Sequence, residues 1–141
     1  MVQGPGILVE SHVLLEAPLS PLAAARCEGR VLDLAATAQW CQRPAEGRVL
    51  LEGVGGLMVP LAPQVHFLAW ATELKIPSIL VALGGLGTLN HTLLSAEALM
   101  LRGWRIEAVL LNPGADGTPG KVAEENAELL SGFLPVPVAV V

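Results

Sequence analysis

Three glycine-rich turns in this chain carry residue types that could hold a phosphate. The first is EGVGG, residues 52–56, which closes the apolar run RVLL. Its glycines, Gly53, Gly55 and Gly56, let a backbone approach a ligand closely. An acid that ends a buried strand costs desolvation unless it is paired or meets a cation. Mg²⁺ favours one or two carboxylates completed by phosphate oxygens. Glu52 therefore reads as a magnesium ligand facing a triphosphate, or as a structural glutamate capping the turn amides. The residues alone leave both readings open.

The second turn, GGLGTLN at residues 84–90, follows an apolar strand and opens a helix. Asn90 stands where a dinucleotide fingerprint needs its third glycine, so a Rossmann reading is weak. Backbone amides at a helix start bind anions, which leaves a carboxylate or phosphate there as one reading and a plain tight turn as the other. The third, GADGTPGK at residues 114–121, almost matches GxxxxGK[ST]. Ala115 occupies the first glycine position and Val122 the position of the magnesium-binding hydroxyl, so this stretch reads as a helix entry.

The other reactive side chains look bland. His12, His66 and His91 have no metal-ligand spacing, Ser78 and Ser95 lack a nucleophile elbow, and Trp40, Trp70 and Trp104 read as core or interface. Cys27 and Cys41 lie fourteen positions apart without a CxxC and read as a pair of buried cytosolic thiols.

Positioning these turns requires strands that end where the turns begin. The chain alternates strand-length apolar runs with stretches of helical period. ILVESHVLLE is an uncertain opening strand, SPLAAARCEG a short helix capped by Ser20 and stopped by Gly29, and DLAATAQWCQR a helix capped by Asp33. RVLLE reads as a buried strand and HFLAWATELK as a helix ending before Pro77. SILVAL, IEAVLLN and VPVAVV read as strands, separated by the helices TLNHTLLSAEALMLRG and PGKVAEENAELLSGF. Continuous Val/Leu/Ile strands alternating with helices predict an α/β fold with a parallel sheet buried on both faces. Ligands of such sheets bind at the carboxyl ends of the strands, here at Glu52, residues 84–90, and Asn112 with Pro113.

Composition narrows the function classes. The chain has 141 residues, 52% of them hydrophobic and 15% charged, with a net charge of −5. One ordered domain with one core is expected, without a basic face for nucleic acid. Mean hydropathy is +0.58, and the uncharged run over residues 76–96 is long enough to span a bilayer. Pro77, three glycines, Asn90 and His91 interrupt it, so it reads as strand, loop and helix, with no membrane partner. No secretory leader is evident, and a cytoplasmic location is expected.

The strings EAPLSPLAAA, LLEGVGGLMVPL, IPSILVALGGLGTLNHTLLSAEAL and VLLN, in that order from about Leu15 onward, resemble dethiobiotin synthetase. The resemblance implies a P-loop-type α/β sheet, usually in a homodimer, and an ATP- and Mg²⁺-dependent reaction of CO₂ with 7,8-diaminononanoate that closes the ring of dethiobiotin. It implies that Glu52 binds magnesium and that Gly53, Val54 and Gly55 form the turn beside the phosphates. It places Asn112 and Pro113 on the adenine side, and Leu86, Gly87, Thr88 and Asn90 at the helix start that receives the diamine's carboxylate across the dimer. Thr88 stands where many relatives have cysteine, and Leu22 where a histidine is common.

The family's first strand, its Walker loop with GKT, its catalytic lysine, a substrate-binding serine and a magnesium-binding aspartate have no counterpart in these residues. The expectation is thus one partial domain covering residues 1–141, with no catalytic residue of its own and no turnover alone, working as a homodimer or with a complementing chain. The alternatives are an inactive remnant acting as a binding or dimerisation module, and a related cobyrinate-type amidoligase. The string LGTLNHTLLS argues against the amidoligase. With the family's first strands absent, exposed apolar surface and self-association are also expected.

Overall fold

The structure, a computed structural model, describes residues 8–45, 47–115 and 117–141. Chain contacts divide it into two compact units, residues 1–74 and 75–141.

The second unit follows its sequence closely. Strand β3 (Ser78–Leu83), helix α4 (Thr88–Met100), strand β4 (Ile106–Asn112), helix α5 (Gly120–Phe133) and strand β5 (Val138–Val140) form two consecutive crossover units. All three strands are parallel in the order β3-β4-β5. Parallel neighbours need such helical crossovers. Gly103, at φ +67°, lets the chain leave α4 in the left-handed region. Both helices touch the sheet and each other. Leu99, Val109, Leu111 and Leu130, at most 1% exposed, form the centre of this core. One expectation needs correction: β3 is not buried on both faces. Among the described residues it pairs only with β4, and Ile79, Val81 and Leu83 on one of its faces are half exposed.

The first unit holds α1 (Pro21–Cys27), α2 (Leu34–Cys41), a small antiparallel pair β1 (Pro60–Ala62) and β2 (Val65–His66), and α3 (Phe67–Thr72). Pro21 occupies the first turn of α1, and the Asp33 carboxylate accepts from the Ala36 amide at 2.9 Å to cap α2. The pair β1–β2 turns through Pro63 and Gln64, the latter at φ +61°.

Two expected strands are absent. No strand forms over residues 8–16; Ile7, where that run begins, lies outside the described residues. RVLLE is not a strand either: residues 48–52 pair with no other strand among the described residues, and Val49 and Leu50 stand 59% and 85% exposed. An apolar run favours burial, but a strand also needs a neighbour for its amides and carbonyls. The cysteines are not buried: Cys27 is exposed and Cys41 half-buried, and both are free. Burial pushes the Cys41 thiol up, opposed by the Arg43 guanidinium.

A polar clamp holds the stretch before α1. One Glu28 carboxylate oxygen accepts from the Glu16 amide at 2.7 Å and the Ala17 amide at 3.3 Å, while Arg30 bridges Glu28 and the Leu14 carbonyl.

Candidate functional site

In the second unit the parallel register places Leu83 beside Asn112. The carboxyl ends of β3 and β4 therefore deliver two of the three candidate stretches, residues 84–90 and residues 112–114, side by side. Gly84 makes the junction possible. A Cβ there would lie 2.9 Å from the Ala123 Cβ and 3.1 Å from both Cα and Cβ of Pro113, so no side chain fits. The Asn126 side chain donates to the Gly84 carbonyl at 2.8 Å and ties this crossing to α5. Asn112 turns its side-chain oxygen back on its own loop, accepting from the Gly114 amide at 3.0 Å, and Pro113 opens a short 3₁₀ turn, Pro113–Ala115. Asp116 lies outside the described residues. The entry at Pro119 does lead into α5, as the near-Walker stretch suggested.

The start of α4 is built around Gly87, whose φ of +90° favours glycine. No side chain caps this helix. The Thr88 amide turns back to the Gly85 carbonyl at 3.2 Å, and its hydroxyl lies 3.2 Å from that of Thr92, both buried. Thr88 thus commits its polar atoms inward. Leu89 and Asn90, in the same first turn, present amides that an α-helix cannot satisfy within itself. Leu86 is fully exposed.

A cavity of about 280 Å³ opens along β3, lined on the helix side by Leu86, Thr88, His91, Thr92 and Ser95. Residues 88, 91, 92 and 95 fall on one helical face. His91 and Ser95 read as bland in the sequence; their spacing from Thr88 was the available signal. Asn90, Asn112 and Pro113 do not line this cavity.

The first unit holds the remaining candidates, Glu52, Gly53, Val54 and Gly55, all exposed. Since Glu52 ends no buried strand, burial does not compel it to meet a cation. The capping alternative is not realised either: among the described residues its carboxylate makes no hydrogen bond to the turn. The glycines are largely explained by local packing. A Cβ on Gly53 would lie 2.5 Å from the Phe67 ring, and Gly55, at φ +66°, abuts Val59. Only Gly56 faces open space. The amides of Phe67 and Leu68 donate to Val59 and Leu57 at 2.9 and 2.8 Å, fastening the turn to the start of α3. There the His66 Nδ1 accepts from the Ala69 amide at 3.0 Å as a helix cap.

Among the described residues no three His, Cys, Asp or Glu side chains gather as a metal-binding group. Glu52 offers one carboxylate, a hard oxygen donor group. That fits a magnesium ion whose remaining ligands are phosphate oxygens and water. Among the described residues, no helix is long and apolar enough to cross a membrane; residues 76–96 fold as strand, turn and helix.

Comparison with known proteins gives a consistent result. A family model described as an AAA domain matches residues 6–140. An ATP-dependent dethiobiotin synthetase from Methylobacterium nodulans is 44% identical over 77% of this chain and 51% of its own length. One from Anaeromyxobacter dehalogenans strain 2CP-C is 45% identical over 68% of the chain and 44% of its own length. One from Acidiphilium cryptum is 41% identical over 86% and 56%. The chain thus spans about half the length of the curated relatives it matches.

Proposed function

The chain belongs to the AAA-domain family and is 44% identical, over 77% of its length, to an ATP-dependent dethiobiotin synthetase; from that premise we propose that it serves the ATP- and Mg²⁺-dependent carboxylation and ring closure of 7,8-diaminononanoate to dethiobiotin, in biotin biosynthesis. The carrying observation is the 44–45% identity to ATP-dependent dethiobiotin synthetases over 68–77% of this chain. In this reading residues 1–141 form one partial domain, cytoplasmic, acting as a homodimer or with a complementing chain.

Each candidate residue has a share in the reading. Glu52 is the magnesium carboxylate, and Gly53, Val54 and Gly55 are the turn beside the nucleotide phosphates. Magnesium, when bound, neutralises charge on the phosphoryl oxygens. Asn112 and Pro113 flank the adenine. Leu86, Gly87, Thr88 and Asn90 receive the carboxylate of the diamine. The uncapped start of α4 supports this last assignment, because orphan amides at a helix N-terminus favour an anion. Thr88 supplies shape rather than a hydroxyl, since its oxygen is spent on Thr92. Phosphoryl transfer relies on positioning and electrostatic stabilisation, and a GxxxxGK[ST] loop does not occur in these 141 residues. Loss of one preorganised donor alone costs about 10²–10³ in rate. The chain by itself is therefore expected to bind but not to turn over.

The carboxylate assignment is tested by titrating the labelled chain with 7,8-diaminononanoate and following backbone amide resonances. Those of Leu89 and Asn90 should move most, and the uncharged amide of the same diamine should leave them in place. Movement elsewhere only, or equal movement with both ligands, contradicts it.

A further inference from the structure

Asn112 is the last residue of β4, at the carboxyl end of a parallel strand, where ligands of such sheets bind. Its side chain has two chemically opposite ends, an accepting oxygen and a donating NH₂. The oxygen is taken. It accepts from the Gly114 amide at 3.0 Å, the first amide after Pro113, which has none to offer. A Cβ on Gly114 would lie 3.4 Å from that same oxygen, so the loop passes close against it. Pro113 is held in turn: its Cα and Cβ lie 3.1 Å from where a Gly84 Cβ would stand, and Asn126 fastens the Gly84 carbonyl. Asn112 is thus fixed at its root and at its oxygen. The NH₂ is the end left over. The residue is exposed, and among the described residues no acceptor meets this group. Holding the turn needs only the oxygen, which Asp or Ser supplies as well. The spare donor is what asparagine adds here.

From this we infer that Asn112 reads the nucleotide base as a donor only, so that the site takes a 6-oxopurine nucleotide at least as well as ATP. This role of Asn112 rests on the nucleotide site proposed above and gives its adenine side a base preference. The purine edge that carries N7 tells the two bases apart. Adenine sets the N7 acceptor beside an amino donor, and a 6-oxopurine sets it beside a second acceptor, O6. An asparagine with both ends free pairs with adenine through both, NH₂ to N7 and oxygen to the amine. Asn112 has turned that oxygen to Gly114. Its NH₂ therefore meets one acceptor and a competing donor on adenine, but two acceptors on a 6-oxopurine. Aspartate at this position inverts the preference. One carboxylate oxygen keeps the Gly114 amide, and the other accepts from the adenine amine and repels O6.

The test is calorimetry on the full chain with ATP and with inosine triphosphate, both with Mg²⁺. Inosine triphosphate should bind as tightly as ATP or more tightly. Asn112→Asp should move the ratio of the two affinities about tenfold toward ATP, the size of a hydrogen bond exchanged for a repulsion. The new charge acts on both triphosphates alike and cancels in the ratio. Should Asn112→Asp misfold by circular dichroism, the parent chain decides. The side-chain NH₂ resonances of Asn112 in isotope-labelled protein should move with ATP and inosine triphosphate, and stay in place with 7-deaza-ATP, whose edge offers no acceptor. Three results overturn the inference while nucleotide binding itself stands: ATP bound about tenfold more tightly than inosine triphosphate, a ratio that folded Asn112→Asp leaves unchanged, or equal movement of the resonances with 7-deaza-ATP. Binding of neither nucleotide contradicts the nucleotide site itself and the inference with it.

Discussion

The crossing of the two strand ends at Gly84 can be broken with a single methyl group. Gly84→Ala places a Cβ 2.9 Å from that of Ala123 and 3.1 Å from Cα and Cβ of Pro113. None of these atoms is the tip of a flexible side chain, so a helix or a loop must move. Over-packing of this kind costs about 1–3 kcal/mol. Gly84 does not lie in the left-handed region, so backbone strain adds nothing, and the alanine recovers about 0.4–1 kcal/mol by restricting the unfolded chain. The net is about 1–2 kcal/mol, or a fall of about 4–16 °C in Tm for a unit of this size. Thermal unfolding by circular dichroism is the assay. Gly56→Ala, where nothing lies within 4 Å, is the control and should change stability by less than about 0.5 kcal/mol. Combining Gly84→Ala with Asn126→Ala should cost less than the two apart, because both loosen one contact. A Gly84→Ala protein as stable as its parent would refute the packing argument for this junction.

Three further outcomes follow from single interactions. Leu111→Ala empties a fully buried position in β4 and should cost about 2–5 kcal/mol in chemical denaturation. Desolvation pushes the Glu28 carboxyl up, but the Ala17 and Glu16 amides and the Arg30 guanidinium outweigh it and hold the carboxyl below its ordinary value of 4.5. A group depressed in the folded state stabilises fully above its unfolded value and loses that stabilisation as pH falls through the folded one. Hydrogen exchange at the Glu16 and Ala17 amides, corrected for intrinsic rates, should therefore lose protection below pH 4.5, and Glu28→Gln should remove that dependence. Glu52→Ala removes an exposed carboxylate without hydrogen bonds to its turn, so stability should stay within about 0.5 kcal/mol while the Mg²⁺ dependence of nucleotide binding, followed by calorimetry, disappears.

The second unit was legible because every element there agreed with its neighbours. SILVAL, IEAVLLN and the two helices alternate, with a clear stop at Gly103 and a clear helix entry at Pro119, and the structure follows them. The first unit was less legible for a physical reason. RVLLE has the composition of a buried strand, but pairing is decided by a neighbour that composition does not reveal. The pair β1–β2 escaped notice because Pro60 and Pro63 disguise it and Gln64, not glycine, takes the positive φ. At the candidate site, the sequence identified the strand-end turns of the second unit. It could not show that Thr88 spends its hydroxyl on Thr92, or that Phe67 occupies the space above Gly53.

The most direct test of the proposed function is dethiobiotin formation from ATP, Mg²⁺, bicarbonate and 7,8-diaminononanoate. The chain should make none alone, and should make product when a second polypeptide supplies the GKT loop, lysine and aspartate, with Glu52→Ala abolishing it. Absence of product in the complemented mixture would contradict the reaction, and turnover by the chain alone would contradict its dependence on those groups.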